Sequence, residues 1–122
     1  VEATAFGTKA IVDHFVNEGV RIDNVIGIGG IALKSPFVMQ TLSDVLNKPI
    51  KVCNTDQACA LGAAMFAATA AGIYNKVEDA IDAMNSGFAK EYMPNAENTE
   101  IYARIYEKYI KVGQFTEKKL FN

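Results

Sequence analysis

The sequence predicts an α/β fold in which short buried strands alternate with helices. Two apolar stretches, residues 25 to 28 and 50 to 53, are typical of strands that are covered on both faces. Segments with helical spacing of apolar residues precede, separate and follow them. Strands that are joined through helices run parallel with right-handed crossovers, so we expect a parallel arrangement. Half of the 122 residues are hydrophobic, which is enough for one domain with a core.

The first helix is predicted over residues 2 to 17, and Gly19 would stop it. Its shared apolar face consists of Phe6, Ala10, Ile11 and Phe15. His14, the only histidine, borders this face. We interpret it as partly buried and structural, because the sequence places no second ligand or nucleophile near it.

A glycine turn, Gly29 and Gly30, follows the first strand. Two adjacent glycines adopt conformations that other residues avoid, and they place no side chain in the way of a ligand. Ser35 is a good N-cap and Pro36 suits the first helical position, so the next helix is expected over residues 35 to 46. Its buried residues should be Phe37, Val38, Leu42, Val45 and Leu46. At the end of a parallel strand such a turn either faces a nucleotide or is purely structural, and the spacing is compatible with both.

A helix of small residues is predicted after the second strand, over residues 57 to 71. We expect this helix to be buried, and its glycine, Gly62, to permit close packing, in one arrangement against the glycine turn itself. Cys53 and Cys59 have no histidine nearby and are interpreted as buried, reduced thiols rather than a disulfide or a metal pair.

Residues 77 to 122 are predicted to be a helical tail extension. A short amphipathic helix would span residues 77 to 85, residues 86 to 95 should be irregular, and Asn95 or Asn98 would cap a last helix over roughly residues 97 to 119. The stripe of that helix is Ile101, Tyr102, Ile105, Tyr106, Tyr109 and Val112. It is interpreted as a half-exposed packing face.

Two strands make a small sheet, since the mean sheet has about five or six. The chain also starts with Val1 and enters a helix at once. Both observations favour a piece of a longer protein whose sheet is completed by upstream strands or by a partner.

Composition excludes several classes of function. The formal net charge is −2 with both signs interspersed, so no basic patch points to nucleic acid or an anionic membrane. The longest apolar run, residues 58 to 73, is short for a bilayer span, and no signal peptide is recognisable. We therefore expect a cytoplasmic protein without nucleic-acid or membrane partners.

Gly27 to Ala32 also fit the G-x-G-x-x-A pattern of dinucleotide-binding folds, with Asp56 about twenty residues further on as the ribose-binding acid. In that fold the helix begins within the glycine motif. Here Ser35 and Pro36 place the expected helix start later, and Gly27 is expected inside the strand. A dinucleotide-binding module is therefore the lesser alternative.

Several motifs occur in order along the chain. They are Glu2-Ala3-Thr4-Ala5-Phe6-Gly7-Thr8, Gly29-Gly30-Ile31-Ala32-Leu33-Lys34-Ser35-Pro36, Met39-Gln40, Ser43-Asp44-Val45, Pro49-Ile50 and Thr55-Asp56-Gln57-Ala58-Cys59-Ala60-Leu61-Gly62-Ala63-Ala64, with a looser match at Tyr92-x-Pro94-Asn95. Together they resemble the C-terminal part of the FGGY carbohydrate kinases. The resemblance implies an actin-like ATPase (ribonuclease H-like) fold. Residues 1 to 122 would be a single partial C-terminal domain, truncated at its N-terminus and carrying extra C-terminal helices.

The resemblance also implies an ATP site. Family members hold most of the adenosine in this domain, near the second glycine of the pair, so Gly29 and Gly30 carry over. Lys34, four residues later, would either meet a phosphate or ribose hydroxyl or be solvated. Gln40, Asp44 and Gln57 carry over as motif positions with structural roles.

The family's N-terminal domain supplies the sugar site, a phosphate-binding hairpin and the catalytic aspartate, and magnesium is expected with the full-length enzyme. The aspartates Asp13, Asp23, Asp44 and Asp56 match none of those motifs. We therefore expect no catalytic or metal-binding residues here, and no activity from this portion alone.

A hypothesis of another class stays open beside the kinase. The chain would then be a non-catalytic interaction module, whose exposed sheet edge and tyrosine-bearing last helix pair with another protein or form a homo-oligomer.

Overall fold

The order of elements follows the predicted α/β pattern, with one helix and one strand added. The structure, a computed structural model, describes residues 1 to 120; residues 121 and 122 of the predicted tail lie outside the described residues. The elements are α1 (Glu2–Asn17), β1 (Val25–Gly27), α2 (Gly30–Lys34), α3 (Pro36–Leu46), β2 (Ile50–Cys53), α4 (Ala58–Ala70), α5 (Val77–Met84), β3 (Phe88–Tyr92) and α6 (Ala96–Leu120).

The sheet has β2 at its centre. Val25 and Gly27 of β1 lie opposite Ile50 and Val52 of β2 in the parallel register that the sequence predicts. β3 pairs antiparallel with the other edge of β2 and brings Tyr92 opposite Ile50. The prediction of two strands, with residues 86 to 95 irregular, is therefore wrong. Local pattern did not show β3 because four of its five residues are exposed, so the strand depends on its pairing with β2 rather than on its own burial.

The main core lies between the sheet and α3. Its buried residues are Ala32, Met39, Leu46, Ile50, Val52 and Tyr92. Gly27 leaves room for the Met39 side chain of α3: a Cβ atom at this position would lie 2.7 Å from Met39 Cε and 3.4 Å from Ala32 Cβ. A larger residue within this strand would require the end of the Met39 side chain to move.

A second core joins α1, α3 and α6. Ala5, Phe6 and Val45 are buried there, with Tyr102, Ile105 and Tyr106 of α6 packed against them. The Phe6 ring meets the Tyr102 ring edge-on at a centroid distance of 6.2 Å. The predicted helix α6 and its packing stripe are thus present, but Ile101 and Val112 at the two ends of the stripe are exposed.

Several burial predictions are wrong. α4, expected to be buried, buries only Met65, and a Cβ atom at Gly62 would meet nothing within 4 Å, so this glycine packs against no turn. α4 is apolar on every side and packs mainly on α5, which leaves most of its surface uncovered by residues 1 to 120. The cysteines are free thiols as expected, but Cys53 is half-buried and Cys59 is exposed. Six further residues expected to be buried or partly buried are exposed: Ile11, His14, Phe15, Ile26, Ile28 and Phe37. The strand β1 is therefore not covered on both faces by the described residues.

Tyr106 lies where α6 meets α1. Burial, together with the nearby Asp13 carboxylate, raises the pKa of Tyr106 to about 12. The Lys9 ammonium lies 5.1 Å from the centre of the same ring and 3.1 Å from Asp13 Oδ1. Burial of the ring and the Asp13 carboxylate, rather than the Lys9 ammonium, therefore favour the neutral phenol.

Stability should fall between pH 10 and pH 12 in part because of Tyr106. The folded chain holds this proton more tightly than the unfolded chain, whose tyrosine pKa is 10.0, so alkali favours the unfolded state as pH rises through this range. Urea unfolding from pH 8 to pH 12 should show a smaller loss of stability for Tyr106→Phe than for wild type. Tyr74→Phe is the control, and equal pH slopes for all three proteins would contradict the assignment.

Two glycine substitutions should have opposite effects on stability. Gly27→Ala places a methyl group against Met39 and should destabilise the fold by about 1–3 kcal/mol through overpacking. Gly62→Ala, in a helix with open space around that position, should stabilise it by up to about 1 kcal/mol. Urea unfolding midpoints measure both changes. An unchanged midpoint for Gly27→Ala would show that the end of the Met39 side chain moves aside without cost.

Candidate functional site

The predicted site lies at the carboxyl end of β1, where the chain turns into α2. Gly29 has φ +88° and ψ 174°, a backbone region open essentially to glycine alone. Gly30 is the first residue of α2. The turn thus lies, half-buried, at the carboxyl end of a strand that is paired in parallel, which is where open α/β sheets bind ligands.

Helix α2 was not predicted. Ser35 caps α3 as expected, since its Oγ accepts a hydrogen bond from the Val38 N–H at 3.4 Å, and Pro36 follows as the first helical residue. Residues 30 to 34 nevertheless form a separate short helix that ends at Ser35. A helix therefore does begin within the glycine motif. The late helix start no longer argues against a dinucleotide site, although Gly27 does lie inside β1 as expected.

The three predicted site residues are brought onto one short segment. Cβ atoms at Gly29 and Gly30 would meet no atom of the described residues within 4 Å, so both glycines face open space. Lys34 is exposed and lies four residues after Gly30 on the same helix, so the two share a face. A ligand resting on Gly30 would therefore be within the range of a flexible lysine side chain.

A shallow apolar groove of about 250 Å³ adjoins this turn. Ile28 and Ile31, the residues on either side of the two glycines, line it, together with Val38 and Leu42 of α3 and Thr8 of α1. Gly29, Gly30 and Lys34 do not line this groove, but it offers a planar, weakly polar group an apolar surface beside the turn.

A larger groove of about 450 Å³ lies on the other side of Ile28. Leu61, Gly62 and Met65 of α4 form one wall and Phe88 forms another. Sequence reasoning missed this groove because it expected α4 to be packed. The sequence signal that could have revealed it is the helix-wide run of alanines, which leaves little side-chain volume to fill the space.

Three of the four aspartates considered above are engaged elsewhere, and Asp56 is exposed. Asp13 is ion-paired with Lys9 and Asp23 with Arg21, while Asp44 is buried and hydrogen-bonded. Within residues 1 to 120, no three His, Cys, Asp or Glu side chains gather as a metal site would need. Over the same residues, none of the helices combines the length and apolarity needed to cross a membrane.

Gln40 and Asp44, the motif positions expected to be structural, join α3 to the start of α6. The Asp44 carboxylate accepts hydrogen bonds from the Gln40 side chain and from Asn95 and Asn98. Gln57 is the N-cap residue of α4, and its N–H donates to Thr55 Oγ1 at 3.1 Å.

Comparison with known proteins agrees with this fold. The C-terminal domain model of the FGGY family of carbohydrate kinases matches residues 1–71. The chain is 47% identical over 118 residues to the ribulokinase of Vibrio parahaemolyticus, covering 97% of this chain and 21% of that protein. It is 43% identical over 123 residues to the ribulokinase of Bacillus licheniformis, covering 98% of this chain and 22% of that protein. The chain thus spans about a fifth of the length of these curated relatives.

Solved structures show the same architecture. The crystal structure of gluconate kinase from Lactobacillus acidophilus superposes with a TM-score of 0.81 at 22% identity, over 94% of this chain and 23% of that one. This similarity confirms the predicted actin-like ATPase fold. With the family model covering more than half of the residues, the chain belongs to the FGGY family of carbohydrate kinases and is a portion of its C-terminal domain.

Proposed function

We propose that this chain is the ATP-binding portion of a sugar kinase that converts L-ribulose to L-ribulose 5-phosphate. The substrate is taken from the two ribulokinase relatives described above. The observation that carries the ATP assignment is the half-buried Gly29–Gly30 turn at the end of a parallel strand, with open space at both Cβ positions.

In this proposal the adenosine rests on the turn. Without Cβ atoms at Gly29 and Gly30, the ligand can approach the backbone closely. The apolar surface of Ile28 and Ile31 would take the adenine ring, and Lys34 would reach a phosphate or a ribose hydroxyl. Lys34 is the less constrained of these contacts, because an exposed lysine can also remain solvated.

Phosphoryl transfer needs more than this portion supplies. A Mg²⁺ ion and a group that positions the sugar hydroxyl are required. Asp13 and Asp23 are held in surface ion pairs, and neither lies in the segment 28 to 34 that forms the turn. We propose that the sugar, the metal and the catalytic base are held by the remainder of a kinase of the relatives' length, in the cytoplasm. The purified chain alone should then form no L-ribulose 5-phosphate from ATP and L-ribulose.

The organisation of the chain is proposed on the same basis. Residues 1 to 122 would be one partial domain, and residues 77 to 122 an extension of it, since the family model ends at residue 71.

An interaction module is the second candidate, and a specific observation favours it. Phe66 of α4 is 66% exposed and Ile26 of β1 is 55% exposed, so apolar helix and strand surfaces are both uncovered by the residues that the structure describes. Such surfaces attract another chain or a second copy. Light scattering distinguishes a monomer from a homo-oligomer.

The two glycines of the turn should respond differently to alanine. Gly29→Ala forces a Cβ atom into a conformation that favours glycine and should destabilise the chain by about 1–3 kcal/mol. Gly30→Ala is in a helix with open space around it and should leave stability within about 1 kcal/mol of wild type. Thermal and urea unfolding measure both. Equal losses for both variants would contradict the turn geometry.

Gly30→Val should abolish ATP binding while the chain stays folded. The valine side chain would occupy the space above the turn that the adenosine needs, and its Cβ atom would lie within 4 Å of no atom beyond the adjacent backbone. Calorimetric titration with ATP, and with NAD as the control ligand, measures the loss. Wild type should bind ATP in preference to NAD.

Gly62→Val is the matched variant, because it places the same side chain in the larger groove. If Gly62→Val and not Gly30→Val abolishes binding, adenosine occupies the larger groove and the assignment to the turn is wrong. Unchanged ATP affinity in Gly30→Val refutes the assignment directly.

A further inference from the structure

Asp44 is a buried carboxylate on α3, with only 2% of its surface exposed. Its Oδ1 accepts hydrogen bonds from Gln40 Nε2 and from the backbone N–H of Asn95, both at 2.8 Å. Its Oδ2 accepts from Asn98 Nδ2 at 2.9 Å. Hydrogen bonds to an ionised acceptor are among the stronger ones in proteins, so this carboxylate is a firm connection between its partners.

The connection leads from α3 to the start of α6. Asn95 Oδ1 accepts from the N–H groups of Glu97 and Asn98 at 3.0 and 3.2 Å and so caps α6 as the sequence predicts. Asp44 then accepts the N–H of Asn95 itself. The carboxylate therefore lies at the positive end of the α6 dipole, where a negative charge is favoured.

Neighbouring residues of α3 hold the same segment. Gln40 Nε2 also donates to the Met93 carbonyl at 2.8 Å. Ser43 Oγ lies 3.1 Å from the Tyr92 carbonyl and 2.9 Å from the Lys48 carbonyl, and it is fully buried. Residues 92 to 98 are thus bound to a short stretch of α3, residues 40 to 44.

The other end of α3 leads to the glycine turn. Met39 packs over Gly27 of β1, and only Ser35 separates α3 from α2. α3 thus contacts residues 92 to 98 near one end and α2 and Gly27 near the other.

We propose that Asp44 is a positioning residue for the nucleotide site: by tying the β3–α6 junction to α3, it sets the position of the Gly29–Gly30 turn and of Lys34. The inference rests on the proposed function only in identifying that turn as the nucleotide site. Residues 92 to 98, which lie beyond the part of the chain that the family model matches, would then hold the turn in position through α3.

Hydrogen exchange of the 122-residue chain tests the mechanical part of the proposal without any ligand. Asp44→Ala should speed amide exchange of residues 29 to 34 by about tenfold relative to a variant of equal overall stability. Ala80→Gly is a suitable comparison, because Ala80 is fully buried on α5 and distant from α3 in the contact pattern. Both variants are compared at matched distance below their melting temperatures.

Asp44→Asn provides the conservative variant. The asparagine oxygen can accept from Gln40 and Asn95, and a rotated Asn98 amide can pair with its nitrogen, so exchange at residues 29 to 34 should return close to wild type. If Asp44→Ala fails to fold, Asn98→Ala removes a single donor and should speed exchange at the turn by about threefold. Faster exchange at residues 92 to 98 alone, with the turn matching Ala80→Gly, would overturn the proposal and leave Asp44 as a tail anchor.

Titration with ATP separates this inference from the proposed function. Asp44→Ala should weaken ATP binding by about tenfold, and Asp44→Asn should restore it. If wild type binds no ATP, the proposed function fails, whereas the exchange experiment still decides whether Asp44 positions the turn. If wild type binds ATP and Asp44→Ala binds it equally well, the positioning role is refuted.

Discussion

The contact between the Met39 side chain and Gly27 is the constraint on which the rest of the structure depends. Gly27 has no side chain, so Met39 can lie directly over the strand and close the main core. From that contact the chain has only a few residues in which to leave β1 and enter α3. A left-handed glycine and one short helix accomplish this, which is why the turn has its geometry irrespective of any ligand. Because the turn is built from glycines, it also leaves open space in which a ligand can approach the backbone.

Sequence patterns predicted the elements that carry their own local signals. The apolar strand at residue 25, the Ser35–Pro36 start of α3 and the Asn95 cap of α6 were all identified, because each is determined by neighbouring residues. β3 and α2 were missed for physical reasons. β3 exists through its ladder with β2, and α2 is a single short segment whose helical conformation is imposed by the contacts on either side. The burial of α4 was mispredicted because an alanine-rich helix indicates a covered surface without indicating what covers it.

The candidate site was predictable in part. A glycine pair after a strand is visible in the sequence, and the absence of side chains there follows from the residue type. The backbone conformation of Gly29 is known only from the structure. The partners of Asp44 could not be predicted. Gln40 lies four residues earlier on the same helix, but Asn95 and Asn98 lie 51 and 54 residues away, and a buried carboxylate carries no periodicity that would point to them. Long-range polar contacts of this kind are specified by the fold rather than by the segment that contains them.

The two outer strands of the sheet differ in charge, so a further strand can pair with only one of them. Lys90 and Glu91 carry charges along the outer strand β3, and charged side chains on an edge discourage the addition of a further strand. β1, at the opposite edge, contains only Val25, Ile26 and Gly27 and has no such protection. Any strand that enlarges this sheet would therefore pair with β1 rather than with β3. The charged residues of β3 thus determine on which side the sheet can be extended.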